Sequence, residues 1–146
     1  MTIVFTNGCF DVLHRGHIEY LKQSRQLGTR LIVGLNSDAS VKRLKGDSRP
    51  VNSQDDRRAM LLALRFVDQV EIFEEDTPLE LIKRTNPDII TKGGDYQPEQ
   101  VVGYNLARKT VIIPFLDGYS STRIIHATAR NSGEGLGVRA NLGDQR

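Results

Sequence analysis

The chain has 146 residues, of which 38% are hydrophobic, and this is enough for one domain with an ordinary core. Its 20 basic and 18 acidic residues leave a net charge of +2, which excludes the broadly basic surface of a nucleic-acid-binding protein. No run of about 18 apolar residues and no signal-peptide pattern is present, and the single cysteine excludes an internal disulfide, so we expect a cytoplasmic protein with no membrane partner.

Short β-branched runs alternate with helical patterns along most of the chain. The runs at residues 3–5, 31–35, 70–73, 89–90 and 111–115 predict strands, and the patterns at 17–27, 54–65, 78–85 and 98–107 predict helices. Ser53 begins a capping box, and Pro78 and Pro98 suit first helical turns. This alternation predicts an α/β fold with a Rossmann-like, doubly wound, parallel five-stranded sheet and helices on both faces.

The last residues differ from the rest in composition. Residues 131–146 contain four glycines, mixed charges and no steady apolar period. Such a segment cannot bury enough apolar surface to form a core. We therefore predict a domain over residues 1–130 and a flexible tail over 131–146, with an arm that becomes ordered on a partner as the alternative for the tail.

Two histidines, His14 and His17, lie between the first predicted strand and the first predicted helix. Unpaired N–H groups and the helix dipole favour an anion at such a junction. Residues three apart share a helical face, so both imidazoles can donate to one phosphate chain. A helix cap and a surface histidine are the alternative. A zinc pair would more often be spaced i and i+4, and Cys9 stands at no ligand spacing, so we predict no metal ligands.

Two later segments offer further donors to phosphate. Lys45 stands on a glycine-containing loop after a short helix and could fold over phosphates as a lid, or it could be a solvated surface lysine. Residues 120–123 open the last predicted helix, where hydroxyls and free N–H groups can hold the β- and γ-phosphates while Arg123 clamps them. An ordinary helix cap is the alternative for this segment.

The motifs resemble the cytidylyltransferase-like family of nucleotidyltransferases. This resemblance rests on residues 8–11 (GCFD), 14–17 (HRGH) and 119–125 (YSSTRII). A narrower resemblance, to the adenylyltransferase domain of ADP-heptose synthase, rests on residues 36–40 (NSDAS), 45–52 (KGDSRPVN), 73–78 (FEEDTP) and 92–96 (KGGDY). The narrower resemblance covers roughly residues 2 to 126. Glycerol-phosphate cytidylyltransferases have Arg-Thr-Glu-Gly where this chain has FLDG at 115–118, and the lost arginine favours adenine over cytosine.

The resemblance implies an enzyme that joins ATP and D-glycero-β-D-manno-heptose 1-phosphate into ADP-heptose and diphosphate, for lipopolysaccharide core biosynthesis. It implies Mg²⁺ on the triphosphate and a homodimer or higher homo-oligomer. The alternatives are a cytidylyltransferase acting on a polyol or amino-alcohol phosphate, and a nucleotide-binding module without turnover. Because an attacking phosphate is already ionised, the reaction requires positioned donors and cations rather than a general base.

The candidate site residues fall into three groups. The catalytic group is His14, His17, Lys45 and Arg123. The nucleotide-binding group is Asn7, Gly8, Cys9, Phe10, Gly16, His17, Lys92, Gly94, Asp95, Ser120, Ser121 and Thr122. The acceptor-binding group is Asp11, Asp38, Arg57 and Tyr96. Glycines at 8, 16 and 94 are expected where the backbone approaches a ligand closely.

Overall fold

Five parallel strands and four helices make up the domain in this computed structural model, which describes residues 1–116, 118–120 and 122–127. The strands are β1 (Ile3–Gly8), β2 (Arg30–Asn36), β3 (Gln69–Phe73), β4 (Ile89–Gly93) and β5 (Lys109–Ile113). The helices are α1 (Arg15–Gln26), α2 (Asp38–Lys45), α3 (Gln54–Leu62) and α4 (Leu79–Thr85), and residues 122–127 form a further helical segment. The sheet order is β3-β2-β1-β4-β5.

Hydrophobic cores lie on both faces of the sheet. Neighbouring residues of β1 point in opposite directions: Val4 packs in one core and Phe5 in the other. The core around Val4 includes Leu21 of α1 and Leu61 of α3, whereas the core around Phe5 includes Ile82 of α4. Both faces are thus covered, as parallel sheets require. The predicted α/β fold, with helices on both faces, is confirmed.

A buried cluster of hydroxyl groups fixes α1 above the centre of the sheet. The Tyr20 hydroxyl lies 2.5 Å from that of Thr6 on β1 and 3.2 Å from that of Thr91 on β4. The Ser24 hydroxyl lies 2.9 Å from that of Thr91. Strands β1 and β4 are adjacent but far apart in sequence, so the order in which successive strands are added to the sheet reverses here. Doubly wound sheets bind ligands at the carboxyl ends of the strands beside such a point.

The predicted helix at 98–107 is wrong. Two short 3₁₀ helices, Pro98–Gln100 and Tyr104–Leu106, occupy this region. Gly103 separates them with a φ of +83°, a left-handed conformation that a right-handed helix cannot contain. A Cβ atom on Gly103 would lie 2.8 Å from Ile82 Cδ1, so packing against α4 fixes this break.

Other helix boundaries are close to those predicted. The Ser53 hydroxyl accepts a hydrogen bond from the Asp56 N–H at the start of α3, and Pro78 immediately precedes α4. No helix in the described ranges is long and apolar enough to cross a membrane. The predicted tail, residues 131–146, lies outside the described residues.

Candidate active site

The start of α1 places His14 at the end of β1. His14 is the N-cap residue of α1, with an extended backbone, and its Nδ1 accepts a hydrogen bond from the Gly16 N–H at 3.1 Å. A ring nitrogen that accepts a hydrogen bond carries no proton, so the neutral ring has its proton on Nε2. His14 therefore caps the helix and still keeps one N–H for a ligand.

His17 lies against His14 one turn along the helix. The two ring centroids are 3.8 Å apart and the rings are stacked, at 21° to each other. Phe10 packs edge-on against His17 at 5.2 Å, and Tyr119 stacks on His14 at 6.0 Å. Within the described part of the chain, His17 Nδ1 is buried without a hydrogen-bond partner. The other nitrogen, Nε2, is therefore the one that can serve a ligand.

Both imidazoles are neutral near pH 7. Burial lowers the pKa of His17 to about 4, assisted by the nearby charges of His14 and Lys45. Burial also lowers the pKa of His14. The pair can therefore donate two N–H groups without adding two positive charges at the N-terminus of α1.

The turn before α1 depends on Phe10 and Gly8. Phe10 has a φ of 45°, a left-handed conformation that is rare outside glycine. A Cβ atom on Gly8 would lie 2.9 Å from Phe10 Cε2, so the bare glycine leaves room for that ring. Gly8 thus serves the packing of Phe10, which in turn supports His17.

A cavity of about 550 Å³ opens beside the histidine pair. The candidate residues that line it are Cys9, Phe10, Asp11, His14, Gly16, His17, Lys45, Lys92, Tyr96, Ser120 and Thr122. Those outside its lining are Asn7, Gly8, Asp38, Arg57, Gly94, Asp95 and Arg123, and Ser121 is not among the described residues. Lining residues that were not candidates are Tyr20, Arg49, Gly93, Pro114, Phe115, Leu116, Gly118 and Tyr119.

Among the described residues, three lysine or arginine side chains line this cavity. Lys45, at the end of α2, is exposed, and its charge lowers the pKa of His17. Lys92 lies over the Tyr96 ring, with its Nζ 5.2 Å from the ring centroid. Arg49 contributes the third positive charge.

Burial raises the pKa of the Cys9 thiol, so Cys9 is protonated and unsuited to be a nucleophile.

Asp11 is buried at the edge of the cavity, where its carboxylate holds residues 49–52. Its oxygens accept hydrogen bonds from Arg49 Nε at 2.8 Å, from the Val51 N–H at 2.9 Å and from the Asn52 N–H at 3.0 Å. Burial alone would raise the pKa of Asp11, but these donors outweigh it and the pKa is lowered. Protein donors therefore occupy the carboxylate, and the acceptor contact predicted for Asp11 stays a prediction.

Arg57 is held by main-chain carbonyls, and the acceptor contact predicted for it stays a prediction. It is 1% exposed, and its Nη1 donates to the carbonyls of Cys9 at 2.8 Å and Asn36 at 2.9 Å. Its Nε donates to the Asn52 carbonyl at 2.9 Å, and its Nη2 pairs with Asp38 at 2.8 Å. Strands β1 and β2 end in carbonyls that need donors, and this guanidinium supplies them. Arg57 and Asp38 therefore join loops behind the cavity.

The last helical segment presents Ser120 and Thr122 to the cavity. The Ser120 hydroxyl accepts from the Arg123 N–H at 3.0 Å and so caps this segment. Arg123 Nη1 donates to the Gly118 carbonyl at 3.1 Å, and Arg123 is exposed. The phosphate contact predicted for Arg123 stays a prediction, because its side chain turns toward its own loop here.

Comparisons with known proteins agree with this arrangement. The sequence profile described as Cytidylyltransferase-like matches residues 5–127. The bifunctional protein HldE of Campylobacter fetus subsp. fetus is 60% identical over 125 residues, which cover 86% of this chain and 27% of that protein. HldE of Campylobacter jejuni is 61% identical over 123 residues, covering 84% of this chain and 27% of that protein. The chain thus spans about a quarter of the length of these relatives.

A solved structure extends the comparison to the fold. The crystal structure of the lipopolysaccharide core biosynthesis protein from Thermoplasma volcanium GSS1 matches with a TM-score of 0.69 and 32% identity. The match covers 80% of this chain and 99% of that one. From the profile and these relatives, the chain belongs to the cytidylyltransferase-like family.

Proposed function

We propose that this member of the cytidylyltransferase-like family is an adenylyltransferase that joins ATP and D-glycero-β-D-manno-heptose 1-phosphate into ADP-heptose and diphosphate, for lipopolysaccharide core biosynthesis. The neutral, stacked pair His14 and His17, placed at a helix N-terminus beside basic residues, is the observation that carries the proposal. The identity of about 60% to HldE proteins, and the lipopolysaccharide core protein among the structural matches, support the choice of substrate.

The reaction exchanges one phosphoanhydride bond for another. An oxygen of the sugar 1-phosphate attacks the α-phosphorus of ATP, the bond from that phosphorus to the bridging oxygen breaks, and diphosphate leaves with the electron pair. The attacking oxygen is already ionised, so no proton has to be removed. Negative charge grows on the oxygens of the phosphorus under attack, and positioned donors stabilise it there.

His14 and His17 are placed to supply those donors. The Gly16 hydrogen bond leaves the His14 proton on Nε2, and burial of Nδ1 leaves Nε2 as the nitrogen through which His17 can donate. Neutral imidazoles donate without transferring a proton, which suits a step that needs none. Lys45, exposed beside the cavity, would offset the charge of the triphosphate.

Magnesium enters this proposal with ATP, as part of the substrate. Within the described ranges, no three His, Cys, Asp or Glu side chains are grouped so as to hold a metal ion. Asp11 is the one carboxylate among the described lining residues, and protein donors fill its oxygens. Phosphate oxygens would therefore provide most ligands of the ion, as is common for Mg²⁺. Self-association stays a prediction from the family resemblance.

Diphosphate release tests the proposal directly. ATP, CTP, GTP and UTP would each be supplied with heptose 1-phosphate and, separately, with glycerol 3-phosphate. We expect release with ATP and the heptose only. Release with CTP and glycerol 3-phosphate would overturn the substrate assignment, and no release with any pair would favour a nucleotide-binding module. His17→Asn should abolish the signal, whereas the exposed His126→Asn serves as the matched control.

A further inference from the structure

Arg49 lies between two parts of the cavity wall that are distant in sequence. Its Nε donates to Asp11 Oδ2 at 2.8 Å, in the turn before α1. Its Nη1 lies 3.4 Å from the Thr122 hydroxyl, in the last helical segment. The Arg49 side chain is 12% exposed and that of Asp11 is 1% exposed, so the pair is largely removed from solvent. We propose that Arg49 binds the polyphosphate of the nucleotide and that Asp11 is the residue that positions it.

The guanidinium keeps donors for a ligand. Asp11 engages Nε, and Thr122 receives only a long contact from Nη1. In the part of the chain that the structure describes, no other hydrogen bond from the Arg49 side chain to the protein is seen. A guanidinium held at Nε can still present both terminal nitrogens, and their fixed spacing matches two oxygens of a phosphate.

Asp11 offsets the charge of Arg49 but not that of the other basic residues in the cavity lining. Its carboxylate also accepts hydrogen bonds from the Val51 and Asn52 N–H groups, so Arg49 is one of three residues that donate to it. Lys45 and Lys92 line the same cavity, whereas Asp11 is its one described carboxylate. The cavity therefore remains attractive to an anion that carries several charges.

Closure of the loop does not require the Arg49 side chain. Main-chain groups of Val51 and Asn52 already bind Asp11, and the Asn52 side-chain amide donates to the Asp11 carbonyl at 2.7 Å. These contacts alone would fix residues 51–52. The guanidinium extends beyond them toward Thr122, across the cavity, and so stands where a phosphate can reach it.

The position of Thr122 identifies the part of the nucleotide concerned. Thr122 and Ser120 line the cavity at the start of the last helical segment, which the sequence predicts to hold the β- and γ-phosphates. Arg49 would thus contact the end of the polyphosphate that leaves as diphosphate. This inference rests on the proposed nucleotide-binding function and adds the residue pair that holds the leaving group.

Binding of inorganic diphosphate, measured by calorimetry without any sugar or turnover, tests the inference. We expect Arg49→Ala to weaken diphosphate affinity about 10- to 100-fold and Arg49→Lys to recover part of the loss. Arg43→Ala is the matched control. Arg43 is also an arginine paired with an aspartate, Asp76, but it does not line the cavity. Unchanged affinity in folded Arg49→Ala would overturn the inference.

The positioning role of Asp11 needs a double-mutant comparison. Asp11→Asn should also weaken diphosphate binding, and adding it to Arg49→Ala should cause little further loss, because Asp11 acts through Arg49. If the fold-losses in diphosphate affinity of the two single variants multiply in the double variant, that role is refuted. Asp11→Glu, which keeps the charge but moves the carboxylate, replaces Asp11→Asn if the latter does not fold.

The two proposals can fail separately. If no sugar phosphate is adenylylated but Arg49→Ala still loses diphosphate affinity, only the proposed function is wrong. If ADP-heptose forms and Arg49→Ala binds diphosphate as the unmodified protein does, only the inference about Arg49 is wrong.

Discussion

The protonation of His17 makes the protein less stable in mild acid. Its pKa falls from its ordinary 6.5 to about 4 in the folded protein, because the ring is buried and lies beside His14 and Lys45. Between these values the unfolded chain binds a proton that the folded protein does not. The free energy of unfolding is therefore fully retained above the unfolded pKa and decreases as the pH falls from 6.5 toward 4.

The size of this effect follows from the two pKa values. At about pH 5 the unfolded His17 is almost fully protonated and the folded His17 is largely neutral, which reduces the free energy of unfolding by about 2 kcal/mol relative to about pH 8. A glutamine side chain at position 17 binds no proton in this pH range. The His17→Gln variant should therefore lose about 2 kcal/mol less than the unmodified protein over the same range.

Urea unfolding at about pH 8 and about pH 5 measures the difference. Asp11 does not interfere, because its lowered pKa makes its contribution disappear only at more acidic pH, below its ordinary 3.8. The His126→Gln variant is the control, since His126 is exposed. Equal acid losses in the unmodified protein and in His17→Gln would refute the argument, as would an NMR titration of His17 centred near its ordinary pKa.

Three further substitutions test the packing that supports the site. Arg57→Lys leaves buried carbonyls without donors and should lower the free energy of unfolding by about 3 kcal/mol, whereas the exposed Arg58→Lys on the same helix should change it little. Tyr20→Phe removes one hydroxyl from the buried cluster and should cost about 1–2 kcal/mol in the same urea experiment. Gly94→Ala adds a Cβ 2.7 Å from Phe115 Cε2 at a φ of +104°, so thermal unfolding should show a loss of about 1–3 kcal/mol; an unchanged melting temperature would contradict this.

The sequence predicts features that depend on local order along the chain. Short β-branched runs and the helical patterns between them are enough to predict the parallel sheet, because few topologies suit that alternation. The position of His14 and His17, between a strand and a helix, likewise predicts that both face one site. The helix expected at 98–107 fails because the conformation of Gly103 is set by contact with Ile82, which is distant in sequence.

The arginines show what the sequence leaves undetermined. Arg49 and Arg57 are eight positions apart in a basic, polar region, and nothing local distinguishes them. In the structure Arg57 is enclosed by carbonyls behind the cavity, whereas Arg49 lines the cavity itself. The positions of both arginines depend on contacts between the turn at residues 9–11 and the segment that follows α2. Contacts between such distant segments decide which of two similar residues can meet a ligand.

Burial of the histidine pair links the chemistry of the site to its stability. If both rings were protonated, two positive charges would lie on stacked rings whose centroids are 3.8 Å apart. Burial of His17 disfavours even a single positive charge on its own ring. The same enclosure keeps Nδ1 away from solvent and leaves Nε2 as the nitrogen available to a ligand. A more exposed His17 would resist acid better, but it would titrate closer to neutral pH, so the charge of its ring would change with pH in that range. The predicted acid sensitivity is thus the energetic consequence of holding two neutral donors in place.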